Sequence, residues 1–252
     1  MNILFTICGR AGSKGIKNKN IKKFLDIPLS IYTLSAIDLY LKRNSETKGS
    51  VALNTDSIEL ADLMCKNPWR HVEWIKRNDE LAGDKVSKVA VIRNTWNEMQ
   101  KCTKEKFDMV VDLDITSPLR TIQDIENLIS EQKRTGCDVV YSVTDARRNP
   151  YFNMVKKSEK GYIRVISSDY VTRQDSPNIY DMNASLYAYS PEFLGSDKEI
   201  FQGYCEIIKM MDTAVLDLDH ENDFELMEVI AKYLFNKYNA FSEVKEHCDE
   251  YK

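Results

Sequence analysis

The densest group of chemically useful residues lies near the N-terminus, where Gly9-Arg10-Ala11-Gly12-Ser13-Lys14-Gly15-Ile16-Lys17-Asn18-Lys19-Asn20 combines three glycines with a run of cations. Between Gly9 and Lys23 the basic residues Arg10, Lys14, Lys17, Lys19, Lys22 and Lys23 meet no acidic residue. Glycines let backbone N–H groups approach an anion closely and turn inward as a nest. Arg and Lys neutralise charge that develops during transfer. Polyphosphate binding is the chemistry this suits, and the competing reading is a solvated Lys-rich turn. The glycines are spaced G-x-x-G-x-x-G and no Gly-Lys-Ser/Thr follows, so neither a dinucleotide-binding fold nor a P-loop NTPase is favoured.

A second candidate stands near the other end of the chain, where Val215-Leu216-Asp217-Leu218-Asp219 alternates in a strand-like way and points both carboxylates to one face. Two acids on one face repel unless a cation lies between them, and hard carboxylate oxygens suit Mg²⁺. Spacing alone equally allows Asp219 a capping or solvated role ahead of His220-Glu221-Asn222. His71, His220 and His247 fit no catalytic triad order. The six cysteines, Cys8, Cys65, Cys102, Cys137, Cys205 and Cys248, form no C-x-x-C pair and read as free thiols of a reducing cytosol.

These residues need a frame to position them, and the chain supplies an α/β one. With 252 residues, 43% hydrophobic and 29% charged, it fits one globular domain with a small inserted lobe. A net charge of −4 argues against a global nucleic-acid or anionic-membrane binder. The apolar run from Asn2 to Cys8 is too short for a signal segment or a membrane span, so a cytoplasmic location is expected. Ile3 to Cys8 reads as a strand buried on both faces, and a helix follows Pro28. Val51 to Leu53 reads as a strand before a helix over Ile58 to Met64, capped by Thr55 or Asp56. A strand at Val72 to Ile75, a helix over Val86 to Met99, a strand at Met109 to Leu113 and a helix over Ile122 to Gln132 continue the alternation. The pattern predicts a doubly wound, mostly parallel sheet. From Val139 the strands at 139–143, 162–166 and 186–189 read as an antiparallel insertion. Asp223 to Tyr238 is helical again, and residues 240–252 read as a charged, loosely held tail.

Several pieces together resemble the acylneuraminate cytidylyltransferases, also called CMP-sialic acid synthetases. The run Arg10-x-Gly12-Ser13-Lys14-Gly15 with Lys19-Asn20 is similar to that family's N-terminal signature. In the family's order follow Thr55-Asp56, Arg77-x-x-Glu80-Leu81-Ala82-x-Asp84, Thr116-Ser117-Pro118-Leu119-Arg120, Arg173-Gln174 and Asp217-x-Asp219, so the likeness runs roughly from Ile3 to Leu234. Asp114 stands where the sialic acid enzymes commonly carry Gln. That departure, with Tyr180-Asp181-Met182-Asn183-Ala184-Ser185-Leu186-Tyr187, looks closest to the bacterial CMP-legionaminic acid branch.

The resemblance implies a nucleotide-diphospho-sugar-transferase-like, Rossmann-like domain over residues 1–239, with a dimerisation insertion at 145–178. It implies transfer of CMP from CTP to the anomeric hydroxyl of a nine-carbon nonulosonic acid, legionaminic or N-acetylneuraminic, with pyrophosphate released. Arg10, Ser13, Lys14 and Asn20 would hold CTP, and Arg77 and Ser87 would complete its pocket; Arg10, Lys14 and Arg173 would act on developing charge. Asp114, Thr116, Ser117 and Asn183 would meet the sugar, and Asp217 and Asp219 would hold Mg²⁺, with Mn²⁺ as its alternative. A homodimer with shared active sites is expected. From the residues alone, Arg77 before Asn78-Asp79-Glu80 is equally a surface ion-pair partner, and Thr116 to Arg120 equally a strand-to-helix turn capped by Thr121. A sugar-1-phosphate nucleotidyltransferase of the same fold and a non-catalytic CTP-binding module are the rival readings.

Overall fold

In the first strand, β1 (Asn2–Cys8), the residues Ile3, Leu4, Phe5 and Ile7 are all fully buried. A strand buried on both faces belongs in the middle of a sheet covered by helices on each side, and β1 lies there. The computed structural model describes residues 1–12, 15–83, 86–212, 216 and 218–251. After β1, a short antiparallel pair, β2 (Lys23–Phe24) and β3 (Ile27–Pro28), leads into α1 (Leu29–Arg43). Then come β4 (Lys48–Thr55), α2 (Ile58–Cys65), β5 (Glu73–Lys76), α3 (Lys88–Thr103), β6 (Met109–Leu113) and α4 (Ile122–Thr135). The second half holds β7 (Val139–Asp145), β8 (Val155–Ser158), β9 (Gly161–Arg164), β10 (Tyr180–Tyr189), α5 (Pro191–Leu194), β11 (Cys205–Lys209), α6 (Glu221–Lys237) and α7 (Asn239–Asp249).

The main sheet has the order β11-β7-β10-β6-β1-β4-β5. All its neighbours are parallel except β10, which runs antiparallel to both β6 and β7. The doubly wound, mostly parallel expectation therefore holds. One apolar core joins β1 to α1, α2, α4, α6 and α7, and a smaller one under the other face joins Leu4, Val110 and Tyr189 to Ile92 of α3 and Phe193 of α5. Because β1, β4 and β6 are parallel, their carboxyl ends share one edge, the edge at which open α/β sheets bind ligands. Among the described residues no helix is long and apolar enough to cross a membrane.

Four local readings need correction. β7 and β10 belong to the main sheet, so the only separate antiparallel unit inside 145–178 is the β8–β9 hairpin. Ser57 caps α2, accepting from Leu60 N at 3.2 Å, because Thr55 Oγ1 is already an acceptor for Ser57 N and Asp56 is turned toward Ala11. Leu218 and Asp219 lie in no strand, and Val215 and Asp217 are outside the described residues. The tail expected over 240–252 is instead helix α7, which buries Phe241, Val244, His247 and Cys248. Its charges occupy one face and these four residues the other, spaced at helical intervals, so the composition of the segment concealed an amphipathic helix.

α7 docks through His247, which is 6% exposed. Its Nδ1 lies 2.9 Å from Ser35 Oγ, its Nε2 lies 3.2 Å from Asp38 Oδ2, and its ring stacks on Trp69 with centroids 4.3 Å apart. Burial, followed by the nearby Lys42 ammonium, holds its pKa below the ordinary histidine value. A lowered folded-state pKa means the unfolded chain binds the proton more tightly. Stability is then complete above the unfolded value near 6.5 and is lost as pH falls through the folded one. The melting temperature should therefore drop between about pH 7.5 and 5.5, and His247→Gln should flatten that drop. An unchanged pH slope in the variant would show that the ring is not the titrating group.

Candidate active site

The Gly-rich loop leaves β1 at the carboxyl edge of the sheet and is held from several sides. Gly9 N donates to Asn54 O of β4 at 3.2 Å, Ala11 N donates to Asp56 Oδ1 at 2.7 Å, and Asn20 Nδ2 donates back to Arg10 O at 3.1 Å. Gly12 has φ +74° with open space where a Cβ would point, so its glycine is required by conformation. Gly15 is the opposite case. A Cβ there would sit 1.7 Å from the carbonyl oxygen of Asp219, so the loop and the segment before α6 touch backbone to backbone. Lys19 reinforces the contact, donating to Leu218 O at 2.6 Å with its Nζ 4.0 Å from Asp219 Oδ1.

Across from the loop, the end of β6 carries a buried charge cluster. Asp112 is fully buried; Thr6 Oγ1 donates to its Oδ1 at 2.8 Å and Lys88 Nζ lies 2.8 Å from its Oδ2. The same ammonium donates to Asp114 Oδ2 at 2.8 Å. Thr116 donates to Asp114 Oδ1 through its backbone N at 2.8 Å and its hydroxyl at 2.7 Å. Burial works against the Lys88 charge, but the two carboxylates outweigh it and raise the ammonium well above its ordinary pKa. Burial likewise pushes the Asp114 carboxyl up, and Lys88 and Thr116 override it to bring it down to about 2. Arg120, 1% exposed, donates to the Asp114 carbonyl and, at 3.3 Å, to Thr33 Oγ1, fixing the turn from beneath.

These pieces enclose a cavity of about 350 Å³ lined by Cys8, Gly9, Arg10, Gly15, Lys19, Asn20, Asp114, Thr116 and Asp219. A neighbouring hollow of about 240 Å³ runs from Arg10, Lys19 and Asn20 to Ser57 and Glu59 of the α2 start. Cations from the loop thus face carboxylates from β6 and the α6 approach across a space suited to a charged ligand. Burial, then the Asp112 anion, pushes the Cys8 thiol well up, so this cysteine is no thiolate nucleophile.

Of the residues singled out from sequence, Arg10, Asn20, Asp114, Thr116 and Asp219 come together here. Ser13, Lys14 and Asp217 lie outside the described residues. Arg77, 8% exposed, spends its guanidinium on Asn54, with Nε to Oδ1 at 2.8 Å and Nη2 to the carbonyl at 2.9 Å, and so is not a surface ion-pair residue. Ser87 caps α3 and also donates to Glu199 Oε1 at 3.1 Å. Ser117 is buried, donating to Ser185 Oγ at 2.7 Å. Asn183 borders a separate hollow with Asp145, Arg147 and Asp212, and its Oδ1 accepts from Ser142 Oγ at 2.5 Å. Arg173 borders a third with Asn149 and Lys209, donating to Ala146 O at 2.6 Å. Lys88 is a site residue that sequence alone does not single out. Its one signal is local: it opens α3 directly after the Ser87 cap, where a cation opposes the helix dipole and needs a compensating partner.

The family model described as Cytidylyltransferase matches residues 4–240. The chain belongs to the cytidylyltransferase family. It is 34% identical over 230 residues to the post-translational flagellin modification protein B of Campylobacter coli, spanning 91% of this chain and 95% of that protein. It is 32% identical over 228 residues to the CMP-N,N'-diacetyllegionaminic acid synthase of Campylobacter jejuni, spanning 90% and 94%. Among solved structures, CMP:2-keto-3-deoxy-manno-octonic acid synthetase complexed with CTP superposes with a TM-score of 0.64 over 92% of this chain and 99% of that one. At 13% identity that likeness establishes the fold alone.

A metal in this cytidylyltransferase would have to be judged on its donors. Among the described residues no group of three His, Cys, Asp or Glu side chains is placed to hold one. The Asp219 carboxylate is 74% exposed in the cavity wall and keeps Lys19 only at 4.0 Å, so its oxygens suit a hard cation that also meets a ligand. Gly15→Ala should separate the loop from Asp219 and lower kcat/KM about 10²-fold, the size of effect a displacement near 1 Å has on a positioned site. The melting temperature should fall as well, because the methyl group meets a backbone carbonyl and one of the two segments must move. Activity near that of the unaltered protein would show that the contact is dispensable.

Proposed function

We propose that this cytidylyltransferase transfers CMP from CTP to the anomeric hydroxyl of a nine-carbon acidic sugar of the legionaminic type and releases pyrophosphate. The observation that carries the reading is one cavity in which Arg10 and Lys19 of the Gly-rich loop face Asp114, Thr116 and Asp219. The legionaminic acid synthase relative, aligned over nine-tenths of this chain, supports the choice of acceptor. In the reaction the sugar hydroxyl oxygen forms a bond to the α-phosphorus in line with the bond that breaks to pyrophosphate, and the hydroxyl proton passes to solvent. The loop's N–H groups with Arg10, Lys14 and Lys19 hold the phosphates and offset the negative charge that moves onto pyrophosphate. Asp114 and Thr116 sit opposite, on the side from which the acceptor enters. Asn20 keeps the loop closed by tying back to Arg10 O.

Asp217 and Asp219 would hold Mg²⁺, which supplies charge neutralisation of the phosphates. The fit rests on the exposed Asp219 carboxylate beside the loop. A homodimer is part of the proposal, supported by the exposure of Tyr162, Ile163 and Val171 in the 145–178 insertion, at 74%, 45% and 81%. So is a cytoplasmic location, where CTP and free thiols belong together.

Pyrophosphate release with CTP and Mg²⁺ should be seen with di-N-acetyllegionaminic acid and be weaker or absent with N-acetylneuraminic acid, pseudaminic acid and Kdo. GTP, UTP and ATP should be inert. Silence with every acid would transfer the reading to a sugar-1-phosphate acceptor or a CTP-binding module. Asp219→Asn should lower turnover by about 10²-fold or more, the order seen when charge stabilisation in the transition state is removed. The variant should stay folded, since the side chain is exposed. Undiminished turnover would remove Asp219 from the metal assignment.

A further inference from the structure

Lys88 is assigned no part in the reaction above, yet it is the residue around which the acceptor side of the cavity is organised. It occupies the first turn of α3, a position that disfavours a cation, and it is held there by two carboxylates. An ammonium has three N–H donors. One donates to Asp114 Oδ2 at 2.8 Å, the ammonium pairs as an ion with Asp112 Oδ2 at the same distance, and the Tyr187 ring centroid lies 5.0 Å away. Lys88 is not among the residues lining the cavity, so it acts through its partners.

The same counting applied to Asp114 gives a sharper result. A carboxylate offers about four acceptor positions, two on each oxygen. Oδ1 is filled by the backbone N and the hydroxyl of Thr116, and Oδ2 is half filled by Lys88. One acceptor position is left, on a side chain that is 22% exposed and lines the cavity. We propose that Lys88 is a positioning residue that fixes Asp114 as a single-site hydrogen-bond acceptor, reading one hydroxyl or amide N–H donor of the sugar. A ligand group with acceptors only, such as a carboxylate or ring oxygen, has nothing to give at that position. By cancelling one of the two charges on Asp112 and Asp114, Lys88 also lets an acceptor that carries its own carboxylate come near.

This inference rests on the proposed acceptor, and its test separates the two. Removing Lys88 alone would leave Asp112 buried and unpaired, so the comparison is made in an Asp112→Asn background, where no buried charge is stranded. Adding Lys88→Met to that background should raise KM for the sugar about tenfold or more, the scale of one charge-assisted hydrogen bond. KM for CTP should stay within about twofold, the split that separates acceptor binding from nucleotide binding. Asp114→Asn should raise the sugar KM when Lys88 is present and add little once Lys88 is gone, because the two side chains act as one unit. An unmoved sugar KM with only a lowered melting temperature would overturn the proposal, leaving Lys88 as a counter-ion for Asp112. Additive effects of the two substitutions would overturn it as well. Silence of the unaltered protein with every nine-carbon acid would overturn both this inference and the acceptor reading, whereas turnover with an unmoved sugar KM overturns this inference alone.

Discussion

Two backbones that meet without a side chain between them set the geometry of this protein. The Gly15 Cα lies so close to the Asp219 carbonyl that a methyl group would overlap it at 1.7 Å. This contact joins the first crossover of the sheet to the segment that enters α6, near the other end of the chain. It brings Lys19 onto Leu218 O and places the Asp219 carboxylate beside the phosphate-type loop. The core that makes this possible is shared: α1, α6 and α7 pack on the same face of the sheet as the loop's own Ile16. Burial of that apolar surface is what holds an Asp-bearing segment against a cationic loop, since an exposed ion pair at 4.0 Å contributes little by itself.

The opposite wall depends on a different kind of interaction. Asp112 sits fully buried on a central strand, and a lone charge there would be strongly unfavourable. Lys88 pays for it, with Thr6 satisfying the second oxygen. Removing one member of such a set costs about 3–5 kcal/mol, so the cluster is conditionally stable: sound when complete and damaging when broken. Replacing all of it with apolar groups would cost less, which makes stability a weak explanation for its presence. Its effect at the cavity, a carboxylate held ionised in one orientation, is the better one. Arg120 adds to this at the same residue, donating to the Asp114 carbonyl.

How much of this could be read from the residues differs from one element to the next. β1, β6, α1 and α4 were legible because short apolar runs, and helical spacing after a proline or a cap, are strong local signals. Thr121 with Asp124 even forms the full capping box. The loop's composition is extreme enough to suggest an anion site. α7 was not, because charged residues are as many as apolar ones along it and its apolar stripe emerges only against α1. Lys88 was not, because its meaning lies in two carboxylates on another element, and no periodicity within α3 points to them. Arg77 shows the converse: a buried guanidinium tied to Asn54 supports the end of β4, although its sequence neighbours read like a surface ion pair. The family likeness supplied the order of the pieces, and tertiary contacts supplied their company.

In the proposed reaction one cavity joins a single phosphorus of CTP to a sugar hydroxyl. Phosphorus NMR of the reaction with CTP, Mg²⁺ and di-N-acetyllegionaminic acid tests it most directly. One new phosphodiester resonance, uncoupled to other phosphorus, is expected together with inorganic pyrophosphate. A pair of mutually coupled resonances, formed only when a sugar phosphate is supplied, would contradict it and place a phosphate, in place of an anomeric hydroxyl, beside Asp114.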